Sequence, residues 1–341
     1  MPGIADTIGD MSPTMKLFMN NGNTDAVKRN TPTAKKGFIY GGAKIEKLVR
    51  IAELTARGTH KGHETVTLTP NRTKDLCKQG FARYYSAISV SKDEASAVRG
   101  TRARVNLIQN KTDEAHAAIM QMIATGIFNY DALLVSSNEQ FHGLNGLGQL
   151  CGRRAGGSTY GGETREWMEI TSDATDTWWD CGYLDSTQHT VANQLDSTNA
   201  SYLPTILGSL VDGCSVGSYR PTVLVTSKAI WNNYQTVVRN LQQISEPVTG
   251  DLGFQFLKFQ GIPVVWDDFC PAEHVYAINM KPAFGNEPTI GIHGREGEWF
   301  TQAGWVRSAD QLVDSNIISV DLNMWCDNPR LHGALVRVEE S

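Results

Sequence analysis

The spacing of apolar positions changes several times along this chain, and each change predicts a different kind of element. From 101 to 125, TRARVNLIQNKTDEAHAAIMQMIAT places Val105, Ile108, Thr112, Ala115, Ile119, Met122 and Ile123 on one stripe at helical spacing. Polar residues take the opposite side and Gly126 stands at the stop, so the segment predicts a long amphipathic helix. Just before it, Ser91-x-x-Glu94 is a capping-box pattern that opens a short helix. SNIISVDLNMWCDNP (315–329) alternates instead, with Ile318, Val320, Leu322 and Met324 on one face, and predicts a long strand; HGALVRV then closes the chain. PTVLVTS (221–227) reads as a buried strand, and Ser227 is placed to cap a helix whose Ile230, Tyr234, Val237 and Leu241 share a face. YLPTILGSLVDG (202–213), with Pro204 near its start and Gly213 at its end, is another helix. FQFLKFQGIPVVW and VYAINM read as strands on either side of residues 267–274.

The first ninety residues lack such regularity. Residues 1–40 are rich in Asn, Thr, Gly and Pro, with basic pairs at Lys28-Arg29 and Lys35-Lys36, and read as an extended arm rather than a packed element. Residues 44–55 and 63–70 are strand-like, with a turn around Arg57, His60, Lys61 and His63. The basic stretch 71–83, which contains Arg72 and Lys74, fits a short helix, and YYSAISVS (84–91) returns as a strand. Residues 41–91 thus predict a long, thin, charged β-hairpin that cannot bury much of itself, and such an excursion makes physical sense when it lies on another molecule. Glycine-rich 141–165 separates the long helix from the later elements. The order as a whole is that of an α+β protein.

Composition adds limits. The 341 residues, 40% hydrophobic and 20% charged, suffice for about two structural units and a large core. No apolar run approaches the ~20 residues that a membrane helix needs, and MPGIADTIGDMSPTMKLFMNN is not patterned as a secretory signal. Residues 1–111 carry a net charge of +10 and residues 112–341 a net −15, a polarity suited to subunits meeting head to tail or to a basic surface facing a polyanion. Six cysteines at irregular spacing, with no C-x-x-C pair, read as buried free thiols rather than a disulfide scaffold or a structural zinc site.

Candidate chemistry is sparse. No phosphate-binding loop and no G-x-G-x-x-G between a strand and a helix is present. Gly213-Cys-Ser-Val-Gly217 matches G-x-S-x-G, but a helix precedes it and a strand follows, the reverse of a nucleophile elbow, so Ser215 is not assigned catalysis. His60-Lys-Gly-His63-Glu64 has the wrong spacing and setting for a zinc-peptidase helix. The densest cluster is Asp267, Asp268, Cys270, Glu273 and His274. Adjacent aspartates on a continuing strand would face opposite ways, so the segment reads as a turn in which Asp caps backbone amides and Pro271 ends the ladder. A metal- or cysteine-dependent hydrolase using Asp267, Asp268, Cys270 and His274 is the remaining chemical alternative.

Four stretches carry a resemblance to a known family: AHAAIMQMIATGIF (115–128), FHGLNGLG (141–148), FLKFQGIPVVWDDFCPAEHVYAINM (256–280) and LNMWCDNPRLHGAL (322–335). In them, and in element order over 40–341, the chain resembles the major capsid proteins of tailed bacteriophages with the Hong Kong 97-type fold. The resemblance implies an N-terminal arm (1–40), an extended loop (41–91) lying over an adjacent subunit, and a peripheral domain (92–194) with a spine helix. It further implies an axial domain (195–300) and a return to the peripheral domain (301–341), with 315–338 as its long strands. The implied function is structural: self-assembly of pentameric and hexameric capsomers into an icosahedral head around double-stranded phage DNA, with no catalysis, cofactor or metal. Lys28, Arg29, Lys35, Lys36, Arg57, His60, Lys61, Arg72 and Lys74 are the inter-subunit contact candidates. The implied partners are a separate scaffolding protein, or one removed beforehand, a portal, decoration proteins and non-specific contact with DNA, with no membrane. The implied location is the virion, after assembly in the bacterial host cytoplasm. The family's lysine–asparagine cross-link has no matching positions here, and inter-subunit disulfides find no support in the spacing. An encapsulin-like compartment is the alternative that keeps the fold.

Overall fold

The structure is a computed structural model that describes residues 12–22, 39–40, 44–50, 74–97, 101–128, 144–151, 165–168, 170–172, 179, 181–185, 203–240, 248–249, 255–281, 289–294, 300–307, 313–326 and 328–336. The first half contains α1 (Pro13–Gly22), β1 (Ile39–Tyr40), β2 (Lys44–Arg50), β3 (Lys74–Gly80), β4 (Ala82–Ser91), α2 (Lys92–Ala97), α3 (Thr101–Phe128), α4 (Leu147–Leu150), β5 (Arg165–Trp167), β6 (Ile170–Ser172) and β7 (Gly182–Asp185). The second contains α5 (Leu203–Gly213), β8 (Val223–Thr226), α6 (Lys228–Asn240), β9 (Val248–Thr249), β10 (Gln255–Phe259), β11 (Ile262–Trp266), β12 (Val275–Ile278) and β13 (Ile290–Gly294). It ends with β14 (Thr301–Gln302), β15 (Val306–Arg307), β16 (Val313–Cys326) and β17 (Gly333–Val336).

Strand β16 organises one sheet. Along one edge it pairs antiparallel with β4 over ten residues, Val313 opposite Ser91 to Leu322 opposite Ala82. Along the other it pairs successively with β13, β14 and β15. The expected alternation holds: Ile318, Val320, Leu322 and Met324 are all buried. Helix α3 packs on β4, and Ala115, Ile119, Ile123 and Ile127 enter the core. Val105, Ile108 and Met122 are exposed, so the stripe expected on one apolar face is buried only in part. The helix also runs through Gly126 to Phe128 instead of stopping.

The second sheet has the order β7-β17-β12-β8-β11-β10-β9. Alternate side chains divide between two clusters, as the strand period requires. Leu224, Val264, Ala277 and Leu335 meet α5 and α6 on one face. Val225, Val265, Tyr276 and Ala334 join the core beneath α3 and β16 on the other. Covered on both faces, β8 is buried throughout, and the expected cap is present, with Ile230 N–H donating to Ser227 Oγ at 3.5 Å.

Five expectations are corrected. Residues 13–22 within the expected arm form a helix with Met15 and Phe18 fully buried. Residues 74–80 are a strand, not a helix, because β2 supplies a seven-residue antiparallel ladder from Lys44 opposite Gly80 to Arg50 opposite Lys74. The 41–91 excursion is therefore not one hairpin: β4 leaves it for β16, and Ile45, Val49 and Cys77 of its stem enter the main core. FQFLKFQGIPVVW is two strands folded back at Gln260 and Gly261, whose φ of 49° and 83° supply a tight hairpin turn. The segment 315–338, expected as long strands of one domain, divides between the sheets: after the turn Pro329–Leu331, β17 enters the second sheet between β12 and β7. Residues 63–70 lie outside the described residues.

Candidate functional site

Just past the end of β11 lies Asp267, whose backbone N–H donates to the Thr226 carbonyl at the end of β8. Its side chain is fully buried. Oδ2 accepts the Ser12 hydroxyl at 2.6 Å and the Thr14 N–H at 3.1 Å, while Oδ1 accepts the Phe269 N–H at 3.0 Å. Ser12 Oγ in turn accepts the Met15 N–H at 3.2 Å. Asp267 thus places a carboxylate at the start of α1, where free N–H groups and the helix dipole favour negative charge. The turn reading holds for the whole cluster. Cys270 N–H donates to the Asp267 carbonyl, Glu273 takes a left-handed φ of 62°, and His274 Nδ1 lies 2.6 Å from the Ala272 carbonyl. Asp268 is exposed, and the Cys270 thiol donates to the His274 carbonyl, not its imidazole. The hydrolase alternative has no converging acid, base and nucleophile here. Nor does Ser215, whose hydroxyl donates to the Val211 carbonyl of α5. Among the described residues no group of three or more His, Cys, Asp or Glu could hold a metal ion.

A second junction lies where α3 ends. A Cβ on Gly146 would come within 2.3 Å of the Gly126 carbonyl oxygen, and one on Gly126 within 2.8 Å of the Tyr84 hydroxyl. The glycines of ATG and GLNGLG therefore let a loop cross the helix at backbone contact. Tyr84 Oη accepts the Leu144 N–H at 2.8 Å, and burial pushes the Tyr84 phenol up from its ordinary value against the pull of that bond. Asn323 of β16 completes the junction: Oδ1 accepts the Asn145 N–H and Nδ2 donates to the Gly80 carbonyl. Nothing local marks Asn323 for this; its two partners come from distant parts of the chain.

Of the contact candidates, Lys74 is exposed at the end of β3; Lys28, Arg29, Lys35, Lys36, Arg57, His60, Lys61 and Arg72 lie outside the described residues. The hairpin stem is tied to the body by the Lys78 N–H, which donates to the Met168 carbonyl at 3.0 Å. Met168 lies in the segment enclosed by a disulfide between Cys151 and Cys181. The expectation of free thiols is corrected for this pair, because the fold brings residues thirty apart to 5.2 Å between Cα atoms. Cys77, Cys214, Cys270 and Cys326 are buried and take no part in that disulfide. Cys214 sits in a notch between Gly182 and Gly333, and burial pushes its thiol up to about 12. His332, fully buried, accepts the Asn279 N–H through Nδ1 and is held neutral, its value pushed down by burial to about 3.

The outer face of the β16 sheet carries apolar groups in water. Tyr85 is 70% exposed, Val306 61% and Ile317 46%. Ile317 stands opposite Ala87 and Tyr85 opposite Ser319, so they line one face of paired strands. Paired charges flank the group: Arg307 makes two bonds to Asp314, and the first of them holds the Asp314 carboxyl below its ordinary value. Arg83 approaches Asp321 at 3.6 Å.

Among solved structures, the chain is similar to a chain of the cyanophage A-1(L) capsid asymmetric unit. The TM-score is 0.58 at 14% identity, over 96% of this chain and 93% of that one. Weaker likenesses include the capsid of the empty GTA particle (TM-score 0.49, 12% identity, 88% and 86% covered). The capsid of the Myoviridae phage XM1 is another (0.48, 12%, 98% and 92%). The α+β, Hong Kong 97-type fold implied by the sequence resemblance is thus the fold of this chain, shared nearly end to end with the cyanophage capsid chain. No family model and no curated protein matches the sequence.

Proposed function

We propose that this protein is the major capsid protein of a tailed bacteriophage, a structural subunit without catalytic turnover that assembles into the icosahedral head around double-stranded DNA. The observation that carries this reading is the fold shared over 96% of the chain with a cyanophage capsid chain. Two features of the chain agree with it. The outer face of the β16 sheet exposes Tyr85, Val306 and Ile317, a surface suited to cover by another molecule. The basic first third of the chain and its acidic remainder are complementary between copies.

The finer assignments belong to the same proposal. Residues 1–40 form the arm, now with α1 as its anchored root. The β2–β3 hairpin and the residues between its strands form the extended loop, with Lys74 and the other basic candidates at subunit contacts. Residues 92–194 and 301–341 make the peripheral domain, except that β7 and β17 belong to the axial sheet. The subunit occupies pentameric and hexameric capsomers of the virion after assembly in the host cytoplasm, with scaffolding, portal and decoration proteins as partners. The arm and the loop would absorb the difference between the two environments. Electron microscopy of the purified protein, with scaffolding protein supplied, tests this: closed shells are expected, and small discrete oligomers alone would refute it. Shells from infected cells should contain double-stranded DNA; a packaged enzyme in its place would favour the encapsulin-like alternative.

A further inference from the structure

At the end of the second sheet opposite Asp267, three chain segments converge: residues 218–222 entering β8, the Gln260–Gly261 turn, and Asn279–Lys281 leaving β12. They line a cleft of about 480 Å³ whose polar groups come from Ser218, Tyr219, Arg220, Gln260, Asn279 and Lys281. Among the described residues two cations line it and no carboxylate does. Arg220 and Lys281 are both exposed, and among the described residues neither is paired with a carboxylate. Exposed arginines and lysines ordinarily stand among mixed charges, so two cations lining one concave site focus a positive field.

The cleft has a fixed frame. Thr222 Oγ1 donates to the Ile278 carbonyl at 3.2 Å and accepts the Met280 N–H at 2.9 Å, tying the strand after Arg220 to the strand before Lys281. Val216 and Tyr219 exchange two backbone hydrogen bonds of 3.0 Å, closing the turn that precedes Arg220, with Gly217 at a φ of 62°. On the floor, Asn279 is 1% exposed. Its Oδ1 accepts the Lys281 N–H, while its Nδ2 has no acceptor among the described residues. A guanidinium fork, an ammonium, hydroxyls and amide donors on a rigid frame suit a ligand with several oxygens and more than one negative charge.

We propose that this cleft is a binding site for a phosphate-class oxyanion, supplied as a free phosphate or as a phosphodiester of nucleic acid. The proposal does not depend on shell formation, because it can be read on unassembled full-length subunits. Titration with inorganic phosphate at constant ionic strength, followed by calorimetry, should show saturable binding that sulfate competes for and chloride does not. Arg220→Gln with Lys281→Gln should weaken it by about tenfold or more with thermal unfolding unchanged, while Lys92→Gln, an exposed cation elsewhere, should leave it intact. A parallel anisotropy titration with a short DNA duplex separates the sources. Loss of phosphate binding alone assigns the site to a free oxyanion, and loss of both assigns it to the phosphodiester. Absence of saturable phosphate binding, or binding indifferent to both substitutions, overturns the proposal. So does an assembly defect in the double variant without any phosphate binding, which would make the two cations a subunit contact.

Discussion

Replacing Asp267 by alanine tests the idea that a residue of the β11–β12 turn anchors the amino-terminal helix. The substitution removes the acceptor of the Ser12 hydroxyl and leaves the Thr14 N–H, fully buried with its residue, without a partner. Hydrogen bonds to a charged group contribute about 1.5–3 kcal/mol each, so the two that reach α1 contribute about 3–6 kcal/mol. Burial of Met15 and Phe18 holds the same helix by a similar amount, at about 1.5–3 kcal/mol per side chain. Neither term dominates, so the helix should loosen locally before the subunit unfolds. Hydrogen exchange at Met15–Phe18 should accelerate about a hundredfold, which corresponds to roughly 3 kcal/mol of lost local protection. A double-mutant cycle between Asp267→Ala and Ser12→Ala, read by urea unfolding of unassembled subunits, should show a coupling of about 1.5–3 kcal/mol. A coupling below about 0.5 kcal/mol with unchanged exchange would mean that Asp267 only shapes its own turn, and the anchoring argument would fail.

Other consequences are open to direct measurement. His332 has a folded value of about 3 against an ordinary 6.5, so below pH 6.5 the unfolded chain takes up a proton that the native one refuses. Stability should therefore fall as pH drops from 6.5 toward 3, by about 4–5 kcal/mol in all, and His332→Gln should flatten that limb in acid titrations followed by circular dichroism. An unchanged limb would show that other groups carry the acid response. The Cys151–Cys181 bond closes a thirty-residue loop, and the paired serine substitution should cost about 3–4 kcal/mol in urea unfolding and abolish sensitivity to reductant. Wild-type protein indifferent to reductant would refute that estimate. Gly146→Ala would drive a methyl group against the backbone of α3, and a loss of about 1–3 kcal/mol or more in thermal unfolding is expected; a neutral result would rule out the close crossing.

Much of the architecture was legible in the sequence because its signals are local. The alternation of Ile318, Val320, Leu322 and Met324 marks a half-buried strand whatever its partner, and Ser91 with Glu94 opens a helix within one turn, with the Glu94 N–H donating to Ser91 Oγ. The turn character of residues 267–274 followed in the same way from Asp and Pro chemistry. One local signal went unread: Ser12 followed by Pro13 is a helix start, with a cap and a first-turn proline, masked by the Asn- and Gly-rich residues around it.

What the sequence could not determine depends on partners far along the chain. KDLCKQG is polar enough for a helix and becomes a strand because Lys44–Arg50 supplies its ladder, while Asp267 becomes an anchor because Ser12, 255 residues away, donates to it. Gly126 is a stop signal by composition, yet its hydrogen atom is what lets Tyr84 and Leu144 approach the continuing helix. The pairing of Cys151 with Cys181 and the passage of β17 out of the β16 sheet are of the same kind. Side-chain period and caps act over one or two turns and were fixed by the sequence alone. Which surfaces meet is settled when the two sheets and α3 enclose a shared core, and only the tertiary structure decided it.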